Sequence, residues 1–171
     1  MMKILGVFMY KVIICLLIIC FCFALGVVFS NSIKRRKNFW FDITMLCDYM
    51  ISNISFGQKK VKEIFSEFSA SCKPECKGML DNYIDINFLN TTKSFKAPEN
   101  IDFTSLEQKT LEDFFNHIGE FDSLNEIEKI KNYKQTFNNF LQEYDSKNAK
   151  YSPLIIKLAI IFGLVIAIVL I

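Results

Sequence analysis

LIIKLAIIFGLVIAIVLI, residues 154–171, is a run of eighteen residues with one charge, Lys157, and nothing polar after it. As a helix it would be ~27 Å long, close to a hydrocarbon core of ~30 Å. Fourteen of the eighteen are Leu, Ile, Val or Phe. Each is worth roughly −0.3 to −0.6 kcal/mol near mid-membrane. The sum, on the order of −5 kcal/mol, exceeds the cost of one lysine that can snorkel to the interface. A buried core helix is the alternative, but one of this length usually keeps a polar face. The expectation is a membrane-spanning helix.

Working outward, a second uncharged apolar run of eighteen residues, Val12 to Phe29, follows Lys3 and Lys11. A cleaved signal peptide is the rival reading, with Val28 and Ser30 as loose small residues before a cut. A signal core is usually only ~7–15 residues, however, and Lys34, Arg35, Arg36 and Lys37 follow directly. Positive residues beside a span stay cytoplasmic, and Lys150 and Lys157 give the same sense at the second span. The expected topology places the intervening domain in the cytoplasm and both termini outside. The division expected is 1–30 as the first transmembrane helix, 31–153 as the helical domain and 154–171 as the second transmembrane helix.

The net charge of +2 is too small and too evenly mixed for a nucleic-acid surface. Of six cysteines, Cys15, Cys20 and Cys22 lie in the first apolar run. Cys47, Cys72 and Cys76 remain, an odd set that argues against a disulfide framework and for a reducing compartment.

Between the apolar runs the periodicity is helical. Phe39, Ile43, Leu46, Met50 and Ile54 form one stripe, and Phe56-Gly57 reads as its end. Val61, Ile64, Phe65 and Phe68 form a second stripe, so the two helices should pair antiparallel. Ser71 to Cys76 reads as a loop, with a short helix expected over Met79 to Leu89. Thr104 followed by Glu107 is a capping-box pattern. Leu111, Phe114, Phe115 and Ile118 are the buried face of the helix it opens, and Gly119 is placed to stop it. After a turn over 119–122, Asp122 or Ser123 caps the next helix, with Glu126 completing a second capping box from Ser123. Ile127, Ile130, Phe137, Leu141 and Tyr144 face inward along it. Tyr151-Ser152-Pro153 then allows either a fresh helix capped by Ser152 or a helix that runs on with a kink. The fold class expected is all-α, an antiparallel helical bundle flanked by N- and C-terminal transmembrane helices.

No pattern carries catalysis. There is no nucleophile–histidine pairing, phosphate loop or dinucleotide fingerprint. Adjacent acids such as Glu112-Asp113 point apart on a helix. Cys72 and Cys76 would need Cys47 and His117 to complete a tetrahedral zinc site, and two loop thiols are the simpler reading. The sole histidine, His117, reads as structural and partly exposed. No enzyme activity, catalytic residue, metal or cofactor is expected.

Two blocks resemble a known family. The first contains Gly26, the Arg36 region, and the helix ending Ile54-Ser55-Phe56-Gly57, where Phe56 stands for the family's tyrosine. The second runs from Leu111 through Ile118-Gly119-x-x-Asp122 to a final span with Gly163 embedded in Ile, Leu and Val. In these the chain resembles the stage III sporulation protein AB family of endospore-forming bacteria, which is related to F-type inner-membrane platform proteins of type II secretion and type IV pilus systems. It departs from the pattern at Asn53, Phe115 and Glu126-Ile127, and residues 70–103 do not match it. The resemblance implies a non-enzymatic membrane platform in the channel complex between mother cell and forespore, in the mother-cell membrane around the forespore. Its implied partner is a secretion-type ATPase resembling stage III sporulation protein AA, beside other channel components and membrane lipid. A second copy of the chain is an option, and nucleic acid is not expected. Gly57, Gly119 and Asp122 are the candidate structural turn residues, and Arg35, Arg36 and Glu120 the candidate partner contacts. A general membrane-anchored helical scaffold for envelope or division assembly is the alternative function. A small transporter is the weaker third, because neither span carries an ionisable residue near its centre.

Overall fold

The computed structural model describes residues 2–56, 59–86, 95, 97–98, 101–119 and 123–170, with side chains described from residue 13 onward except at 123 and 170. Among these residues there are five helices and no strand: α1 (Met2–Phe56), α2 (Val61–Ser69), α3 (Pro74–Ile84), α4 (Ser105–His117) and α5 (Ser123–Leu170). The chain is all-α, as its periodicity predicts. It divides into two compact units, Met1–Lys34 with Tyr144–Ile171, and Arg35–Glu143. Helices α1 and α5 each contribute to both.

The first unit is an antiparallel helix pair. Cys15 Sγ donates to the Ala167 carbonyl at 3.7 Å, and the hydroxyls of Ser30 and Ser152 are hydrogen-bonded. Between these contacts the helices meet at glycines. A Cβ on Gly163 would lie 3.2 Å from Ile19 Cα, and one on Gly26 would lie 2.7 Å from Ala159 Cβ. Small residues permit this approach, and close van der Waals packing with occasional hydrogen bonds is how apolar helices associate where lipid removes the hydrophobic drive. The remaining faces, including Leu17, Phe21, Val28, Phe29, Phe162 and Val169, are exposed. The most apolar windows of α1 and α5 are only 17% and 11% buried, unlike core helices of a soluble protein, and both helices are long and apolar enough to cross a membrane.

Proline 153 lies inside α5. Of the two readings of Tyr151-Ser152-Pro153, the helix runs on. Proline there removes one backbone hydrogen bond, and the neighbouring Ser152 hydroxyl is engaged with Ser30.

The second unit is a bundle with an aromatic core. Phe39, Ile43, Leu46 and Met50 of α1 are fully or almost fully buried, and Ile64, Phe65 and Phe68 of α2 join them. The predicted stripe is narrower than the one observed, for Trp40 and Cys47 are also completely buried. Helices α1 and α2 pair antiparallel, as expected. Tyr49 donates to Glu67 at 2.6 Å, while nearer the start of α1 Asp42 accepts from the amide of Lys73 at 3.0 Å. Helix α3 begins five residues earlier than the expected Met79. Pro74 sits in its first turn, where proline's fixed φ suits a helix start and its missing N–H costs nothing. What reads as loop at Pro74–Cys76 is therefore helix.

Helix α4 has the predicted cap. Thr104 accepts from the Glu107 amide at 3.3 Å, and Glu107 Oε2 accepts from the Thr104 amide at 2.7 Å. Leu111, Phe114, Phe115 and Ile118 are all buried. Rings link the helices: Trp40 lies 5.5 Å from Phe137 and 4.9 Å from Phe140, and Phe114 lies 5.2 Å from Phe137 and 5.1 Å from Phe115. Phe115 in turn lies 5.9 Å from Phe65, and its carbonyl accepts from Tyr83 Oη at 2.7 Å. Each buried ring contributes roughly 1.5–3 kcal/mol of burial, plus ~0.5–1.5 kcal/mol per favourable ring pair.

Candidate functional site

The residues singled out by the sequence lie at a turn and on the surface of the bundle. Gly119 follows α4 with φ of +80°, in the left-handed region that glycine occupies without a Cβ penalty. Its amide donates to Glu126 Oε1 at 2.8 Å, which ties the turn to the first turn of α5. Glu126 is buried, and among the described residues its Oε2 has no hydrogen-bond partner. That carboxylate lines a small cleft of about 10 Å³, with Phe114, His117, Ile118, Lys129, Ile130 and Tyr133 around it. The volume matches about one water molecule, not a substrate. His117 is exposed, with Nδ1 2.8 Å from the Asp113 carbonyl, a helix-end role of the kind expected.

The two arginines expected to face a partner are engaged within the bundle. Arg35 Nε donates to Glu75 Oε1 at 2.8 Å, and Arg36 lies 3.9 Å from Asp102. Such ion pairs at the surface contribute at most about 1 kcal/mol, and the Arg36 side chain is largely covered. Arg35 keeps nearly half of its side chain exposed. Glu120, Asp122 and Gly57 lie outside the described residues.

Two polar residues that periodicity does not single out are central. Trp40 Nε1 donates to Glu107 Oε1 at 3.1 Å, so Glu107 serves both the cap of α4 and the indole of α1. Asp42, also buried, accepts from the Lys73 amide and lies 3.8 Å from the Lys73 ammonium. Desolvation nevertheless raises its pKa, with the Lys73 amide and charge opposing the rise. A Trp one residue after Phe39 is the only sequence signal for the first contact. Asp42 has none, since an acid on a helix normally faces water.

The thiols also differ in surroundings. Cys47 is buried at the centre of the bundle, and desolvation pushes its pKa up to about 12. Cys76 is buried in the first turn of α3, and Cys72 is partly exposed just before that helix. Among the described residues, no three His, Cys, Asp or Glu side chains gather as a metal site. The unit thus pairs an aromatic core with a surface of charged helices, and Gly119 turns the chain after α4.

Compared with known protein families, residues 11–171 match the model for stage III sporulation protein AB. No curated protein and no solved structure matches the chain.

Proposed function

The chain belongs to the stage III sporulation protein AB family, and from that premise we propose that it is a non-enzymatic membrane platform of the sporulation channel complex. In this reading the helical bundle lies in the cytoplasm of the mother cell, and the two apolar helices hold it at the membrane around the forespore. A secretion-type ATPase would bear on the bundle. Its movement would bias the packing of α1 and α5, the two helices that also supply the spans. The work is mechanical, with no bond made or broken by this chain.

The observation that carries the proposal is the family match across residues 11–171. The architecture supports it: a bundle inserted between two helices long and apolar enough to span. The exposed guanidinium of Arg35, held by Glu75, is the best-placed described candidate for a contact with an acidic partner surface.

Two experiments test the reading. Purification of the tagged full chain from sporulating cells should recover a secretion-type ATPase. Recovery of only the chain itself or of envelope proteins would replace the platform by the general scaffold. Labelling of intact spheroplasts with a membrane-impermeant maleimide should leave Cys72 unmodified until the membrane is permeabilised. Modification in intact cells would put the bundle outside, where no cytoplasmic ATPase reaches it.

A further inference from the structure

Within the apolar helix pair, α5 has two opposite faces. Gly163 and Ala167 are buried against α1, where Ile19 Cα would lie 3.2 Å from a Cβ on Gly163 and Cys15 Sγ donates to the Ala167 carbonyl. On the other side, Lys150, Leu154, Lys157, Ile161 and Leu164 recur at spacings of four and three, so they share one face. All five are exposed.

The two lysines of this face are seven residues, or ~10 Å, apart along the axis. Lys157 lies inside the apolar run, five residues past Ser152, whose hydroxyl is bonded to that of Ser30. Helical side chains lean toward the helix N-terminus, which carries the Lys157 ammonium back toward Lys150. Lys150 lies over the exposed ring of Tyr151, its Nζ 5.3 Å from the ring centre. The sequence of this unit contains one acidic side chain, Asp145. It precedes Lys157 by twelve residues, ~18 Å along the axis, and is turned ~140° from Lys150 around the helix. Neither lysine therefore has a carboxylate of its own unit to face.

We propose that this face of α5 binds one anionic phospholipid, whose phosphodiester sits between the ammonium groups of Lys150 and Lys157 and whose acyl chains run along Ile161 and Leu164. The proposal rests on the membrane-spanning reading of α5 and assigns that span a headgroup class. A lysine within an apolar span is costly unless its charge is met, and a long stem lets its head rise to the headgroup level. The face passes from cations to exposed Ile161 and Leu164, the same order as headgroup and acyl chain in a leaflet, which favours a lipid over an acidic protein. A zwitterionic lipid brings its own cation beside the phosphate and so opposes two lysines; a lipid with net negative charge does not. Tyr151 adds a ring at the level where aromatic residues favour the interface.

The test uses the purified full chain in detergent, titrated with equimolar phosphatidylglycerol and phosphatidylcholine and read by native mass spectrometry. The wild-type chain should retain one phosphatidylglycerol in preference to phosphatidylcholine. Lys150→Gln and Lys157→Gln should each cut that preference about fivefold, the effect of ~1 kcal/mol per lysine near a lipid surface, and Lys157→Arg should keep it. Lys34→Gln removes a charge from the same end of the pair, one turn beyond Ser30 on α1, and should leave the preference intact. Circular dichroism verifies the fold of each variant. Equal losses from all three glutamine variants would reduce the site to diffuse attraction and overturn the proposal, as would equal retention of the two lipids by the wild-type chain. Alkaline carbonate washing of membranes holding the wild-type chain tests the spans separately. Release of the chain removes the spanning reading and the site with it, whereas a chain that stays in the membrane but retains both lipids equally removes the site alone.

Discussion

Trp40 and Glu107 meet in the interior of the bundle, the indole N–H donating to a carboxylate oxygen at 3.1 Å with both residues almost completely buried. The other oxygen of Glu107 closes the cap of α4 on Thr104. One carboxylate therefore fixes where α4 starts and where it docks on α1. A carboxylate with all its bonds made is tolerable in a core, whereas one left with an empty site is costly.

Trp40→Phe keeps an aromatic ring but removes the donor. It should destabilise the bundle by about 1–3 kcal/mol, the usual cost of a buried acceptor left unpaired. Thermal and urea unfolding of the full chain followed by circular dichroism would measure it. An unchanged midpoint would mean that water reaches Glu107 and that the contact does not order α4.

Gly119→Ala should cost about 1–2 kcal/mol, because an L side chain at φ +80° meets its own backbone. The surroundings add little, since the nearest atom to a new Cβ would be Val61 Cγ2 at 3.6 Å. Gly119→Asn should be milder, asparagine being a residue that tolerates this region. Equal melting points for alanine, asparagine and glycine at this position would show that the turn relaxes to negative φ.

In the apolar helix pair, Gly26→Ala forces a contact at 2.7 Å with Ala159 Cβ, closer than carbon atoms approach without a shift. The pair should loosen, and Ala159→Gly in the same chain should restore it by clearing the space. Thermal denaturation in detergent of the two single variants and the double variant separates this reading from a simple loss at each site. Additive losses would rule out the contact.

Asp42 gives a pH signature. Its folded-state pKa is raised above 3.8, mainly by burial, so the folded chain keeps that proton to higher pH than the unfolded chain does. Its contribution to stability is therefore greatest at low pH and falls as pH rises from 3.8 through the folded-state value. Asp42→Asn keeps an oxygen to accept from the Lys73 amide and does not ionise. Relative to wild type, it should gain melting temperature as pH rises through this window. A relative loss would mean that the Lys73 ammonium outweighs desolvation.

The sequence shows most clearly what depends on neighbours in the chain. The apolar runs at 12–29 and 154–171, the Thr104–Glu107 box and the Gly119 stop are each legible because their physics lies within a few residues. The face Leu111, Phe114, Phe115 and Ile118 follows from a single helical period. Trp40 with Glu107 and Asp42 with Lys73 were not legible, because each needs two helices brought together across 67 and 31 residues respectively. The start of α3 was hidden by Pro74, which reads as a breaker although it also suits a first turn. Of the candidate contact residues, the arginines are legible as a cluster; their acidic partners Glu75 and Asp102 are not, for nothing local selects them.

Trp40 is the only tryptophan in the chain, and it sits fully buried among Phe39, Phe103, Phe137 and Phe140. The apolar spans carry no indole, so tryptophan fluorescence, excited selectively over tyrosine, is a signal from the bundle core alone. An ATPase that merely rests on the surface would leave the emission maximum where it is. One that repacks α1 against α5 would move or quench it, and the protein needs no added dye to report the difference.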